Sequence, residues 1–331
     1  MTAYAAFLTR AGWDGAACTP LAGDASNRRY MRVRLGNRRA VLMDAAPERG
    51  EDTGPFLQIA AHLRHSGLHA PEVYATDPER GIVLLEDLGD GLYARVFETT
   101  PELQNRLYTA AIDVLLRLHG APLPGTGVPN YSAEPMAAAA TLAATWYASA
   151  PDSASKLSAA MGSALATLDW SNPVLVLRDY HAENLIWMDG FEGLAKVGLL
   201  DFQDAARGHP VYDVISLMQD ARRDVPEPVA DAMATHYCTA SNMDRDLFTR
   251  DAAVLGAQRA LRILGVFARL SLHFNKPDYV DLIPRVWAQL EANLAHPALQ
   301  DLHAVARTIL PPPTPEYLDT LRQKAGTCPT L

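Results

Sequence analysis

The chain has 331 residues, 49% of them hydrophobic and 20% charged, a balance that excludes a disordered or fibrous protein and favours two packed units over a single core. With 29 basic against 38 acidic residues, its formal charge of −9 argues against a nucleic-acid or anionic-membrane partner, and suits a cationic ligand without demanding one. The three cysteines, Cys18, Cys238 and Cys328, have neither C-x-x-C nor mixed His/Cys spacing, so neither a disulfide framework nor a zinc site is expected.

No basic-then-apolar leader opens the sequence, and the Ala-rich stretch 135–151 falls short of the roughly 20 residues that a membrane span needs. A cytoplasmic location follows as the expectation, with no obligate protein partner. Strand-like runs at 30–35, 40–43 and 82–85 are separated by the turn formers Gly36-Asn37 and by Gly81. Between them, Phe56, Ile59, Ala60 and Leu63 repeat at helical spacing and stop near Gly67. The stretch Glu86-Asp87-Leu88-Gly89-Asp90-Gly91 breaks the strand pattern and reads as a hinge.

A helix is expected from Thr100-Pro101 to Gly120, with Ala111, Val114, Leu115 and Leu118 on its apolar stripe. One or two small-residue helices follow over 129–168, joined around Pro151-Asp152. Short apolar strands at 174–177 and 197–200 are expected to pair as a hairpin. Helices fill 212–310, and Pro311-Pro312-Pro313 is expected to end the compact fold before a short tail. The expected class is α+β, with a small antiparallel-sheet lobe over 1–88 and a larger, mainly helical lobe over 89–331.

Phosphoryl transfer needs a carboxylate near the attacking hydroxyl, oxygen ligands for Mg²⁺, and positive or N–H groups around the phosphates. Asp179-Tyr180-His181-Ala182-Glu183-Asn184 supplies an acid and an amide five residues apart behind an apolar strand. The second apolar strand delivers Asp201-Phe202-Gln203-Asp204, twenty-two residues beyond Asp179.

This D-x-x-x-x-N and D-F pair resembles the aminoglycoside phosphotransferase and choline kinase branch of the protein-kinase-like fold. Gly208-His209-Pro210-Val211-Tyr212-Asp213 is similar to the segment of that branch in which the last acid braces the catalytic loop. Gly23-Asp24-Ala25-Ser26-Asn27-Arg28-Arg29-Tyr30, Val41-Leu42-Met43-Asp44-Ala45, Pro55-Phe56-Leu57, Leu264-Gly265-Val266-Phe267-Ala268-Arg269 and Lys276-Pro277-Asp278-Tyr279 resemble bacterial anomeric kinases of N-acetylmuramate and N-acetylglucosamine in cell-wall recycling. The resemblance implies ATP and Mg²⁺ as cofactors, Asp179 as base, Asn184 and Asp201 as metal ligands, Asp213 as brace, and a small-molecule acceptor phosphorylated at C1.

The chain departs from the pattern in two places. The strand position that carries a phosphate-holding lysine is met by Ala40-Val41-Leu42-Met43, and the four lysines, at 156, 196, 276 and 324, all lie beyond the first lobe. Phosphate contact is therefore expected from Arg29 first, with Arg28 and Ser26 beside it, unless the two arginines are solvated strand-edge charges. Leu177 stands where kinases carry a histidine.

The hinge from Glu86 to Leu88 is expected to meet adenine through its backbone. For the acceptor, His181 and Glu183 are candidates, or plain loop-surface residues. Gln203 and Asp204 either touch substrate or a second metal, or support Asp201. Arg259, Arg262 and Arg269 either meet a substrate carboxylate or form helix-surface ion pairs. Two rival functions remain open, an aminoglycoside or amino-alcohol kinase and a nucleotide-binding regulatory module with degenerate catalysis.

Overall fold

The computed structural model describes residues 3–21 and 28–328. Helix α1 (Ala3–Arg10) leads into β1 (Ala17–Pro20), β2 (Arg29–Leu35) and β3 (Arg38–Asp44); α2 (Gly54–His65) separates these from β4 (Val73–Asp77) and β5 (Ile82–Glu86). Next come α3 (Tyr93–Thr99), α4 (Gln104–His119), α5 (Ala133–Leu142) and α6 (Ala154–Leu165). Short strands follow, β6 (Val174–Val176), β7 (Leu185–Trp187), β8 (Val197–Leu199) and β9 (Ala206–Gly208). The last helices are α7 (Val211–Met218), α8 (Glu227–Ser241), α9 (Arg245–Leu272), α10 (Ile283–Leu294), α11 (Gln300–Ile309) and α12 (Pro315–Gln323).

These elements form two compact units, one of residues 1–127 with 182–205 and the other of 128–181 with 206–331. The first is built on an antiparallel sheet of order β1-β2-β3-β5-β4. Its register sorts side chains by face: Arg32 lies opposite Val41 and Val41 opposite Leu85, whereas Met31, Leu42 and Leu84 align on the other face. That other face buries Val33, Ala40, Leu42, Ile82 and Leu84 against Phe7 and Leu8 of α1 and against Trp13. Each of the larger aliphatic side chains contributes roughly 1.5–3 kcal/mol when fully removed from water. The opposite face carries Tyr30, Arg32 and Val41, and it is there that a cavity opens.

The stretch read as a hinge is constrained rather than loose at Gly91. A Cβ on this residue would come within 2.2 Å of the Trp187 carbonyl oxygen, and its own carbonyl accepts the Trp187 N–H at 2.6 Å. Glycine is needed for that close approach.

The second unit is organised around α9, capped at its start by Asp244, whose side chain accepts the N–H groups of Asp246 and Leu247. Gly265 lets α9 meet the end of α5, since a Cβ there would fall 2.2 Å from the Leu142 carbonyl carbon. Among the described residues, no helix is long and apolar enough to cross a membrane.

Three expectations are corrected. The strands at 174–177 and 197–200 do not pair with each other: β8 pairs with β7, which is nearer to it in the chain, and β6 pairs with the more distant β9. The chain after the proline run is not a tail, because α12 buries Leu318 and Leu321 and the Ser271 hydroxyl donates to the Leu321 carbonyl at 3.1 Å. Pro315 fits the first turn of that helix, where its missing N–H costs nothing, so the prolines introduce the helix. The helix expected from Thr100-Pro101 begins as a 3-10 turn (Pro101–Leu103) and becomes α-helical at Gln104.

Candidate active site

In the sheet unit, the β7–β8 hairpin carries both oxygen-bearing residues singled out above. Leu185 is registered with Leu199, and the Leu200 N–H donates to the Asn184 carbonyl at 3.0 Å, so Asn184 and Asp201 lie at the same end of the hairpin. The Asn184 Nδ2 is 3.5 Å from the Asp201 Oδ2, at the outer limit of a hydrogen bond. On the other side of the carboxylate, Gln203 Nε2 donates to Asp201 Oδ1 at 2.7 Å. Asp201 has φ +55°, a left-handed conformation that turns the chain off the strand and that Asp tolerates better than most residues. Phe202 anchors the turn; it is fully buried and stacks on Phe56 of α2 with centroids 5.0 Å apart.

Asn184, Asp201, Gln203, Asp204 and Glu183 all border a cavity of about 490 Å³. Its apolar walls are Val41, Leu85, Leu88, Ile186 and Leu200, and Tyr30, Arg32, Glu86 and Asp87 add polar groups. A slot with aliphatic walls and a few convergent polar groups suits a flat heteroaromatic ligand.

The polar rim is tied down. Arg32 pairs with Asp87 at 2.9 Å and with Asp90 at 2.8 Å, and Asp87 also accepts the Gly89 N–H at 3.0 Å. Glu86 accepts from His69 Nε2 at 3.1 Å and from the Glu72 N–H at 3.1 Å, while its own N–H donates to the Glu72 carbonyl. The other nitrogen of His69 donates to the Ala195 carbonyl at 2.9 Å, so both ring nitrogens act as donors and the hydrogen bond to Glu86 raises the imidazole pKa. Burial works against ionisation of Glu86, but His69 and the Glu72 amide outweigh it and hold its pKa below the ordinary value.

The residues expected to hold phosphates are distributed less simply. Ser26 lies outside the described residues. Arg29 is registered opposite Asp44, on the sheet face away from Tyr30 and Arg32, and acts electrostatically on Asp44 and Tyr4. Strand alternation alone turns it from the cavity. Asp44 is buried there, accepting the Tyr4 hydroxyl at 2.5 Å and pairing with Arg49 at 2.8 Å. Arg28 pairs with Glu51 at 2.8 Å and acts on Tyr30, whose phenol is pushed up chiefly by burial and also by Asp201. Met43 is fully buried and does not border the cavity, whereas Val41, two residues earlier on the same face, does.

The helical unit holds the remaining candidates. The Asp179 N–H donates to the Leu177 carbonyl at 2.9 Å, closing a γ-turn around Arg178, whose φ is +71°. Asp213, fully buried in α7, accepts the Leu177 N–H at 2.5 Å and the Arg178 N–H at 2.9 Å. Burial pushes its carboxyl up to about 7, against those two N–H groups and the Arg259 guanidinium, which favour its charge. The Arg178 guanidinium lies 4.6 Å from the Tyr131 ring centre.

Arg259 is only 5% exposed and donates to the Ser216 hydroxyl at 2.6 Å, so it is engaged inside the unit rather than forming a surface ion pair. Arg262 is half-buried and acts on Tyr212. His181 faces Arg222, with its Nε2 3.4 Å from Arg222 Nη1.

Sequence reasoning missed Tyr30 and Arg32 as wall residues, the pairing of the Asp87 side chain with Arg32, and Arg222 as the neighbour of His181. Alternation along β2 was the available signal for Tyr30 and Arg32; nothing in the sequence marks the Arg32–Asp87 or His181–Arg222 pairings, which span 55 and 41 residues.

The family model described as the phosphotransferase enzyme family matches residues 17–251. An N-acetylmuramate/N-acetylglucosamine kinase of Caulobacter vibrioides is 37% identical, the match covering 91% of this chain and 94% of that protein. A protein of the same name from Pseudomonas aeruginosa is 32% identical over 86% of each chain. Among solved structures, an ADP-bound aminoglycoside phosphotransferase, APH(2'')-Ib, superimposes with a TM-score of 0.61 at 16% identity, covering 88% of this chain and 97% of its own. That likeness identifies the two-lobed, protein-kinase-like α+β fold.

Proposed function

Because the chain belongs to the phosphotransferase enzyme family, we propose that it transfers the terminal phosphoryl group of ATP to an amino sugar, N-acetylmuramate or N-acetylglucosamine, at the C1 hydroxyl. The two relatives of that name, matched along nearly their full length, support the acceptor. The observation that carries the reaction class is the pairing of Asn184 with Asp201 at one end of a hairpin bordering the cavity.

An amide oxygen and a carboxylate are hard donors and fit Mg²⁺, which takes one or two protein oxygens together with phosphates and water. When bound, Mg²⁺ neutralises charge on the phosphate oxygens. Gln203 keeps Asp201 oriented through its 2.7 Å hydrogen bond. Asp179 accepts or orients the proton of the sugar hydroxyl, a role a carboxylate held rigidly in a loop performs by position.

Residues 1–88 cover the nucleotide, and 89–331 supply the base and the acceptor side. Since the Glu86 N–H is spent on Glu72, the N–H donor to adenine falls to Asp87 or Leu88. Arg28, coupled through Tyr30 toward Asp201, is better placed than Arg29 to screen the phosphates in place of the absent lysine. Dependence on ATP puts the enzyme in the cytoplasm, with a small-molecule acceptor.

The test is ATP consumption by the purified chain with Mg²⁺ and, side by side, N-acetylmuramate, N-acetylglucosamine, an aminoglycoside and choline. Turnover of either amino sugar above the other two supports the reading. Turnover of the aminoglycoside or choline alone overturns the acceptor, and turnover of none overturns the catalytic reading in favour of a regulatory module.

A further inference from the structure

Arg222 lies in the bend that follows α7, and the backbone of this bend is fixed. Asp220 is 1% exposed; its carboxylate accepts the Arg222 N–H at 2.8 Å, and its carbonyl accepts Gln289 Nε2 at 3.0 Å. Neighbouring arginines have their counterions within the unit: Arg223 pairs with Asp220, Arg285 with Asp224 and Arg250 with Asp251. The Arg222 guanidinium does not. Half-buried, it reaches the His181 ring at 3.4 Å and has no carboxylate partner among the described residues.

An arginine has no acceptor atom, so the His181 Nε2 must accept and the imidazole proton sits on Nδ1. Burial keeps the His181 pKa below its ordinary value, consistent with that neutral form. The contact therefore orients the guanidinium without neutralising it. A half-buried cation with most of its donors unused favours an anion, and the planar fork of arginine matches a carboxylate. His181 is two residues past Asp179 and close enough to feel its charge, so the unspent cation lies beside the loop of the proposed base.

We propose that Arg222, oriented by His181, is the subsite for the lactyl carboxylate of N-acetylmuramate. This rests on the amino-sugar reading above. N-acetylmuramate differs from N-acetylglucosamine only in the lactyl ether on O3, whose carboxylate is the sole charge on either sugar. Arg259, considered from sequence for the same task, is already bound to Ser216.

The experiment measures kcat/KM of wild type and of Arg222→Gln with N-acetylmuramate, its methyl ester and N-acetylglucosamine. In wild type, esterification lowers kcat/KM about tenfold or more, the scale of a charge-assisted hydrogen bond. In Arg222→Gln, the ratio of N-acetylmuramate to N-acetylglucosamine falls by a similar factor, and acid and ester become equivalent. Equal loss on both sugars, or an unchanged ratio, overturns the subsite alone. The ester comparison in wild type decides the matter if the variant does not fold, since acid and ester turned over equally would overturn it too. Wild-type turnover of neither sugar overturns the underlying reading and the subsite with it.

Discussion

The carboxylate of Asp213 accepts the N–H of Arg178 at 2.9 Å, at a residue whose φ of +71° places it in a sparsely populated conformation. Such backbone costs on the order of 1–3 kcal/mol and persists only where its surroundings hold it. Asp213 does so with both oxygens, fixing the peptide that leads into Asp179. Asp213→Asn keeps one acceptor and turns an NH₂ toward the other N–H. The expected result is a kcat lowered roughly tenfold to a hundredfold, with the KM for ATP changed little, since displacement of a catalytic group by about an ångström has that effect. Steady-state kinetics checks it, and an unchanged kcat would remove the brace.

Asp179 and Asp201 are expected to separate by phenotype. Asp179→Asn should lower kcat by roughly 10²–10⁴-fold, the usual worth of a positioned base, while leaving Mg²⁺-nucleotide binding intact. Asp201→Asn should lose both turnover and the Mg²⁺ dependence of nucleotide affinity, because the hard anionic donor is gone. Nucleotide titration with and without a chelator distinguishes the two variants. Unaltered Mg²⁺ dependence in Asp201→Asn would contradict the metal assignment.

Arg32 and Asp87 bind the cavity rim across 55 residues of sequence, and the Asp87 side chain is only 2% exposed. Removing one partner of a buried pair leaves an uncompensated charge and costs about 3–5 kcal/mol. Arg32→Ala is therefore expected to lower stability by an amount of that order and to raise the KM for ATP. Arg32→Ala with Asp87→Asn should recover much of the stability. Denaturant unfolding of the single and double variants measures it.

The site was legible where spacing along the chain decided it, and illegible where packing did. The D-x-x-x-x-N and D-F spacing picked out Asn184 and Asp201, and the apolar run at 197–200 was visible, but the run at 185–187 that pairs with it was not. Asp213 was readable from the segment that carries it. The faces taken by the arginines were not, because positions 28, 29, 32 and 34 are all arginine and only strand alternation tells which face each takes. Pairing of β6 with β9 and of β7 with β8 was hidden because apolar runs of three residues carry no register information. Docking of α12 after the prolines depends on its packing against α9, which no local pattern announces.

His69 gives the sheet unit a pH dependence with a definite sign. Its pKa is raised by Glu86, so its contribution to stability is fully present below the ordinary imidazole value and is lost as pH rises through the raised one. Glu86 is held below its ordinary value, so its contribution is present above that value and is lost as pH falls through the lowered one. The Tm difference between wild type and His69→Gln should be largest in mildly acidic solution and should shrink toward alkaline pH. A difference that grows with pH would contradict the stabilising His69–Glu86 pairing.

The most direct test of phosphoryl transfer to an amino sugar is phosphorus NMR of the product made by the purified chain from ATP, Mg²⁺ and N-acetylglucosamine. The expected spectrum shows a sugar phosphate whose phosphorus correlates with the anomeric proton. A phosphorus correlated with any other sugar proton, or release of inorganic phosphate with no sugar phosphate, would contradict it.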